Sequence, residues 1–268
     1  MSTLAQRGAA LLCGTLRRSE EPGGGSLSRL ARITLDDGRE AVVKTGPAPE
    51  TEAAMLRAIR AAGAPAPEVL AVDRDVLVLE VLPNDGGLGS AWTDLGSVLA
   101  RLHAAQGENY GWTADFAFGP VAIINQSSGD WPRFWSENRL LVNIPHVGAT
   151  MARRLERLSA DLPNRLPRRP APSLLHGDLW GGNVLVSGRS VSGLIDPACY
   201  YGHAEADLGM LTLFDHPDGA FYRAYGPLEP GHEERLVIYR LWPALVHLRL
   251  FGGGYRPMVE RFLSDAGI

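Results

Sequence analysis

Cysteine is scarce. Cys13 and Cys199 are the only two in 268 residues, too few for a disulfide framework and in keeping with reducing surroundings. No run approaches the roughly 20 consecutive apolar residues of a membrane-spanning helix. Ala9-Ala10-Leu11-Leu12 is too short for the apolar stretch of a secretion leader and has no small-residue cleavage site after it. A cytoplasmic protein is therefore expected. Neither sign of charge dominates: the net charge is -4, which gives no electrostatic reason to meet nucleic acid or an anionic membrane. No internal repeat or low-complexity segment is present. What remains is an ordinary globular composition, 45% hydrophobic and 21% charged, on a chain long enough for one or two domains with a large apolar core.

One stretch organises the rest. Leu174 and Leu175 lead into His176-Gly177-Asp178-Leu179-Trp180-Gly181-Gly182-Asn183, then into the apolar Val184-Leu185-Val186. A second apolar run, Gly193-Leu194-Ile195, ends in Asp196-Pro197. An acid, an amide five residues on and a second acid after a short hairpin form the layout of a phosphoryl-transfer catalytic loop. In it the first Asp orients a substrate hydroxyl and takes its proton, and the amide and later acid hold magnesium. The surrounding glycines exclude a helix at Asp178. Ser187 to Ser190 reads as the turn between strands 184–186 and 191–195, which would point Asn183 and Asp196 into one cleft. Each residue alone is also an ordinary turn former; the spacing of the set is what argues for chemistry.

Upstream, residues 1–20 predict a short helix and a first strand around Gly14 to Arg18. Pro22-Gly23-Gly24-Gly25-Ser26 then separates it from a strand over Arg29 to Leu35. Three glycines in a turn can present backbone N–H groups to phosphate, although a plain hairpin turn has the same composition. Asp36 to Arg39 is a hairpin turn, and Glu40 to Lys44 is a strand ending in a lysine. Pro49-Glu50-Thr51 opens a helix, Glu52 to Ala62, with Leu56 and Ile59 on its apolar side and Gly63 as its stop. A strand lysine followed by an early-helix glutamate is the ion pair by which kinases aim the lysine at nucleotide phosphates. In isolation Lys44 could be a solvated strand end and Glu52 a favourable first-turn charge; the 176–196 loop decides for the ion pair.

Ala64 to Pro67 is a stiff linker into strands 69–72 and 76–79. Glu80-Val81-Leu82-Pro83 follows as a polar connector whose backbone could bond an adenine ring, and Asn84 to Ser90 is glycine-rich. The domain boundary is placed near residue 83, giving units 1–82 and 83–268. The second unit reads as mostly helical: 92–104, 131–141, 149–160 with Pro163 just beyond its end, 204–214, 233–250 with Pro243 inside, and 257–264. Residues 109–128 read as loop, and 163–172 as a proline-rich connector. His103 reads as a packed or capping histidine. The expected fold class is α+β, with an antiparallel-sheet lobe carrying one main helix and a mostly helical lobe.

The segment from His176 to Asn183, the run Asp196-Pro197-Ala198-Cys199-Tyr200-Tyr201-Gly202-His203 and the tail Phe251-Gly252-Gly253-Gly254-Tyr255 resemble the fructosamine kinase (ketosamine-3-kinase) family. This is a branch of the bilobal protein-kinase-like fold close to the aminoglycoside phosphotransferases. The resemblance runs over nearly the whole chain. The His-Gly-Asp start is common to small-molecule kinases, and the Leu-Trp-Gly-Gly-Asn continuation is the specific part. The resemblance implies ATP and Mg²⁺ as cofactors and a small ketosamine or glycated amine as substrate, phosphorylated on the sugar O3 hydroxyl and so released from the amine. A monomer is expected, and with the charge balance above, no nucleic-acid or membrane partner. Asp178 would be the base, with Asn183 and Asp196 on magnesium. Lys44 would lie on the phosphates, paired with Glu52. Gly23, Gly24, Gly25 and Ser26 would cover the nucleotide, and Glu80, Val81 and Leu82 would receive the adenine. Trp180 and His176 would lie with Asp178 at the substrate, and Asp207 would brace the loop or simply charge a helix first turn. Many relatives carry a cysteine after the loop glycines where this chain has Ser26, so a loop-to-loop disulfide switch is not expected. The rival expectations are a kinase of another small alcohol or amino sugar, a nucleotide-binding protein without turnover, and a metal hydrolase using His176, Asp178, Asp196 and His203.

Overall fold

The computed structural model describes residues 3–21 and 28–268; the expected glycine turn, Gly23 to Ser26, lies outside the described residues. The chain opens with helix α1 (Leu4–Leu11), started by Thr3 and Gln6, whose side chains each bond the other's backbone N–H. Strands β1 (Leu16–Glu20), β2 (Leu30–Leu35) and β3 (Glu40–Lys44) follow, then helix α2 (Pro49–Ala61) and strands β4 (Val69–Val72) and β5 (Leu77–Leu79). They form one antiparallel sheet in the order β1-β2-β3-β5-β4. β2 and β3 alternate: Ala31, Ile33 and Leu35, with Ala41 and Val43, turn to a core shared with Ala5 and Ala9 of α1. α2 begins on Pro49 and turns Glu52, Met55, Leu56 and Ile59 to one buried face.

Beyond Glu80 to Pro83 the chain enters α3 (Trp92–Ala104), whose Leu95, Val98, Leu99 and Leu102 are buried at helical spacing. Residues 109–128, expected as loop, contain a hairpin of strands β6 (Phe116–Phe118) and β7 (Val121–Ile123). Three-residue strands around Gly119-Pro120 carry too little alternation to be distinguished from loop by pattern. The helix expected over 131–141 is regular only in α4 (Trp131–Trp135). It widens to a π turn, Ser136–Leu140, and then tightens over Leu141–His146. The wide turn buries three consecutive residues, Asn138, Arg139 and Leu140, which a regular helical stripe does not do. Helix α5 (Ala149–Arg165) runs past Pro163. Its last turn is held by buried Leu162 and by Arg165, which bonds Asp161 and the Ala266 carbonyl.

Strands β8 (Ser173–Leu175), β9 (Val184–Ser187), β10 (Ser190–Leu194) and β11 (Tyr200–Gly202) make two small antiparallel ladders, β9 with β10 as expected and β8 with β11. Helices α6 (Glu205–Phe214), α7 (Gly219–Tyr225), α8 (His232–Phe251) and α9 (Arg256–Asp265) complete the fold; α7 was not foreseen. One continuous core joins the inner face of α2 and β5 to these helices. The architecture is the expected sheet-bearing part and helical part. Among the described residues no helix is long and apolar enough to cross a membrane.

Candidate active site

Lys44 ends β3 on its buried side, and Glu52 sits in the first turn of α2 on the face that packs inward. The two meet: Lys44 Nζ donates to Glu52 Oε1 at 2.7 Å and to Asp196 Oδ1 at 2.6 Å. Burial works against the Lys44 charge, but the Glu52 and Asp196 carboxylates outweigh it and hold the ammonium above its ordinary range. Asp196 follows β10 with φ 55°, a left-handed conformation that Asp and Asn tolerate better than most residues. The adjacent Ile195 N–H donates to the Asn183 carbonyl at 3.0 Å, so the two expected magnesium ligands share one backbone link.

Asp178 projects from a loop that leaves it little freedom. Gly177 has φ 81°, and a Cβ there would overlap the Ala198 carbonyl oxygen, so only glycine fits. Asn183 Nδ2 donates to the Asp178 carbonyl at 2.8 Å and to its Oδ2 at 3.0 Å. Burial pushes the Asp178 carboxyl up to about 7, with the charges of Asp196 and Asp207 adding to it against the Asn183 hydrogen bond. That value suits a general base working near neutral pH.

The loop is braced from below by Asp207 in the first turn of α6. Its carboxylate accepts the His176 N–H at 2.7 Å, the Gly177 N–H at 2.9 Å and His103 Nε2 at 3.1 Å. Burial opposes this charge, yet the His103 and Gly177 bonds keep it below the usual carboxylate range. His103 in turn bonds the Tyr225 hydroxyl at 2.9 Å, which makes it part of the brace instead of a cap. Further along, Gly181 N–H donates to Asp215 Oδ2 at 2.7 Å. Asp215 and Tyr225 carry no sequence signal; Asp207, expected either to brace the loop or to charge a helix first turn, bonds the loop backbone from that first turn.

His176 does not reach a cleft. It is fully buried; its Nε2 donates to the Ile195 carbonyl at 3.0 Å and its Nδ1 accepts the Asp178 N–H at 3.3 Å. Burial keeps the ring neutral. Its place is beneath the loop, and contact with a substrate is not available to it. Trp180 is 41% exposed, with its indole lying over Gly182, where a Cβ would overlap the ring. Glu80 turns its carboxylate to the Glu68 N–H at 3.1 Å. Leu82 packs over Gly193 of β10. The N–H groups of Val81 and Leu82 donate to no acceptor among the described residues.

Two clefts open on Asp178. One, of about 70 Å³, is lined by Lys44, Glu52, Asp196 and Phe118. The other, of about 350 Å³, is walled by side chains of α6 and α8, with Trp180 and Tyr255. Phe118 of the β6–β7 hairpin stands in both walls. Among the described residues no cluster of three His, Cys, Asp or Glu could hold a metal unaided. His176 has both ring nitrogens on other partners and His203 bonds the Tyr239 hydroxyl through Nδ1 at 2.7 Å, which leaves a histidine-bound hydrolytic metal without the ligand set it needs. Asn183 Oδ1 and Asp196 Oδ2 remain as two hard oxygen donors. They fit an ion such as Mg²⁺ that draws its other ligands from phosphates and water.

The fructosamine kinase family model matches residues 15–266. A probable ketoamine kinase of Synechocystis is 37% identical over 205 residues, 70% of this chain and 66% of that protein. The chloroplastic protein-ribulosamine 3-kinase of Arabidopsis thaliana is 32% identical over 206 residues, 70% of this chain and 61% of that protein. The matched stretches thus span just under two thirds of either relative. A crystal structure from Thermobifida fusca, provisionally assigned as a fructosamine-3-kinase, superposes with a TM-score of 0.90 at 31% identity, covering 98% of each chain. The arrangement is the bilobal α+β fold shared with protein kinases and aminoglycoside phosphotransferases, and the chain belongs to the fructosamine kinase family.

Proposed function

We propose that the protein is an ATP-dependent, Mg²⁺-requiring kinase that phosphorylates the O3 hydroxyl of the sugar part of a ketoamine, acting as a cytoplasmic monomer. The observation that carries this is the position of Asp178, the one carboxylate common to a lysine-lined polar cleft and a larger aromatic cleft. Phosphoryl transfer asks mainly for positioning and charge neutralisation. The γ-phosphoryl group belongs beside Lys44, with the acceptor hydroxyl on the other side of Asp178. The hydroxyl oxygen forms a bond to the γ-phosphorus as the bond from that phosphorus to the β,γ-bridging oxygen breaks and ADP leaves. Asp178 takes the hydroxyl proton. Magnesium held by Asn183 and Asp196 would neutralise charge on the phosphates.

The free N–H groups at Val81 and Leu82 suit the edge of an adenine ring, and Gly23 to Ser26 would lie over the phosphates. The indole of Trp180 offers an apolar face to the C–H side of a sugar. Names of relatives in both the ketoamine and ribulosamine classes support the substrate class. A 3-phosphate would make the sugar leave its amine, so the net outcome would be deglycation.

The test is ADP release on ribulosamine, fructosamine and erythrulosamine at equal concentration, with the phosphorylated carbon located in the product. Asp178→Ala should lower kcat by about 10²-fold or more while nucleotide binding persists. Wild-type turnover in that variant removes Asp178 from the role; no turnover of any ketoamine by the wild type overturns the substrate class.

A further inference from the structure

The larger cleft has a wall chemistry that a sugar alone does not require. Four large apolar side chains are exposed among the described residues, and three of them, Trp180 (41%), Phe214 (39%) and Phe251 (49%), rim this one cavity. Exposed aromatics gathered at one mouth mark a recognition surface more than a packing remainder. They are not loosely arranged. His247 of α8 lies at the centre, with ring centroids 5.0 Å from Phe214, 5.4 Å from Phe251 and 5.1 Å from Tyr255, and Phe251 and Tyr255 stand 5.9 Å apart. Met210, Trp242 and Val246 continue the apolar lining inward toward Asp178.

Charge is the second observation. Among the described residues Asp178, at the floor, is the sole carboxylate lining the cavity, and no lysine or arginine lines it. His247 bonds the Pro243 carbonyl through Nδ1 at 2.8 Å, which leaves Nε2 as a neutral acceptor in the wall. Burial lowers the affinity of this ring for a proton. A second ammonium on the acceptor would meet aromatic rings but no counter-ion, and a carboxylate would meet no cation.

Resting on the ketoamine kinase assignment above, we propose that the substituent on the amine side of the acceptor is uncharged and apolar, an aryl or branched alkyl group stacked among Trp180, Phe251 and Tyr255. The sugar hydroxyl to be phosphorylated lies at Asp178 on the cavity floor, and the amine-side group extends outward along the aromatic wall. Small ketoamines of apolar amines are then the preferred class, ahead of those that carry a second cationic or anionic group.

Three ketoamines of one sugar, made from benzylamine, methylamine and 1,5-diaminopentane, test this by kcat/KM in an ADP-release assay. The benzylamine derivative should exceed each of the others by about tenfold or more, the discrimination expected of an apolar contact in a shaped pocket. Phe251→Ala, at an exposed position, should reduce the benzylamine-to-methylamine ratio to about two or less. A diaminopentane derivative used as well as the benzylamine one overturns the proposal. So does a benzylamine-to-methylamine ratio that survives Phe251→Ala together with Tyr255→Ala. Turnover of none of the three overturns the ketoamine substrate class and this preference with it, an outcome distinct from turnover of all three at equal efficiency.

Discussion

The two clefts that share Asp178 are built on opposite principles. On the lysine side the charged groups are held in place: Lys44 by Glu52 and Asp196, Asp178 by Asn183, and the loop that carries Asp178 by Asp207. On the aromatic side the groups are large, apolar and partly in water, with few hydrogen bonds to fix them. Charge handling needs preorganised groups, because reorientation during the reaction would raise the barrier. Recognition of an apolar group needs area and shape, which rings at the surface supply while keeping some freedom. Loss of the Lys44 ion pair should therefore damage stability and turnover together, and changes on the aromatic side should act on acceptor affinity alone.

Lys44→Met is the harshest test of that contrast. Glu52 is 2% exposed, and without its partner its charge is buried and uncompensated, a loss of about 3–5 kcal/mol for pairs of this kind. Turnover should fall about 10²-fold or more, because Lys44 is the one cationic side chain that lines that cleft among the described residues. The double variant Lys44→Met with Glu52→Gln should recover most of the stability in denaturant titration and none of the turnover. A single variant as stable as the wild type would show that the pair is not the dry, mutually dependent contact its geometry indicates.

The difference between the clefts is also a difference in what a sequence can show. Lys44, Glu52, Asp178, Asn183 and Asp196 are few, chemically distinctive and set by short local elements, so their spacing survives in one dimension. The aromatic wall is assembled from the end of α6, one face of α8 and the tail at Tyr255. On α8, Trp242, Val246 and His247 occupy positions that a core-facing helix would fill in the same way. The β6–β7 hairpin that carries Phe118 between the clefts was missed because its strands are three residues each. The brace around Asp207 depends on Tyr225 in α7 and His103 in α3, and neither position is marked by any pattern in the chain.

Asp178 itself offers a sharper measure of the polar side. Its carboxyl is raised from 3.8 to about 7 in the folded chain, so between those values the folded state binds a proton that the unfolded state has released. Stability is therefore fully present below about pH 4 and is lost as pH rises toward 7. Three units correspond to at most about 4 kcal/mol, less to the extent that water reaches the carboxylate. Asp178→Asn, which cannot ionise, should be more stable than the wild type at pH 8 and about equal to it at pH 4, with turnover lowered as in Asp178→Ala. The melting temperature of the two proteins without ligands, followed from pH 4 to 8, checks the slope. A gap that stays constant with pH would mean that the carboxylate is not suppressed by its surroundings.

The smallest effect is expected at Gly182, and it isolates the aromatic side. A methyl group there overlaps the indole of Trp180, and the indole, being the far end of a flexible and 41% exposed side chain, can swing away at little cost. No positive φ is required at this position, so the backbone accepts alanine. Gly182→Ala should therefore leave the melting temperature within a degree or two of wild type, roughly what a surface substitution of about 0.5 kcal/mol gives. It should raise KM for the acceptor several-fold, about the value of one displaced apolar contact. KM for ATP should not move, because Lys44 and Asp196 approach from the far side of Asp178. Asn183 is the next residue in the chain, which makes the ATP measurement decisive. If KM for ATP rises together with KM for the acceptor, the methyl group has disturbed Asn183, and the two clefts are mechanically one site. If only the acceptor responds, Trp180 is a contact of the acceptor alone, and the aromatic cleft can be altered without touching phosphoryl transfer.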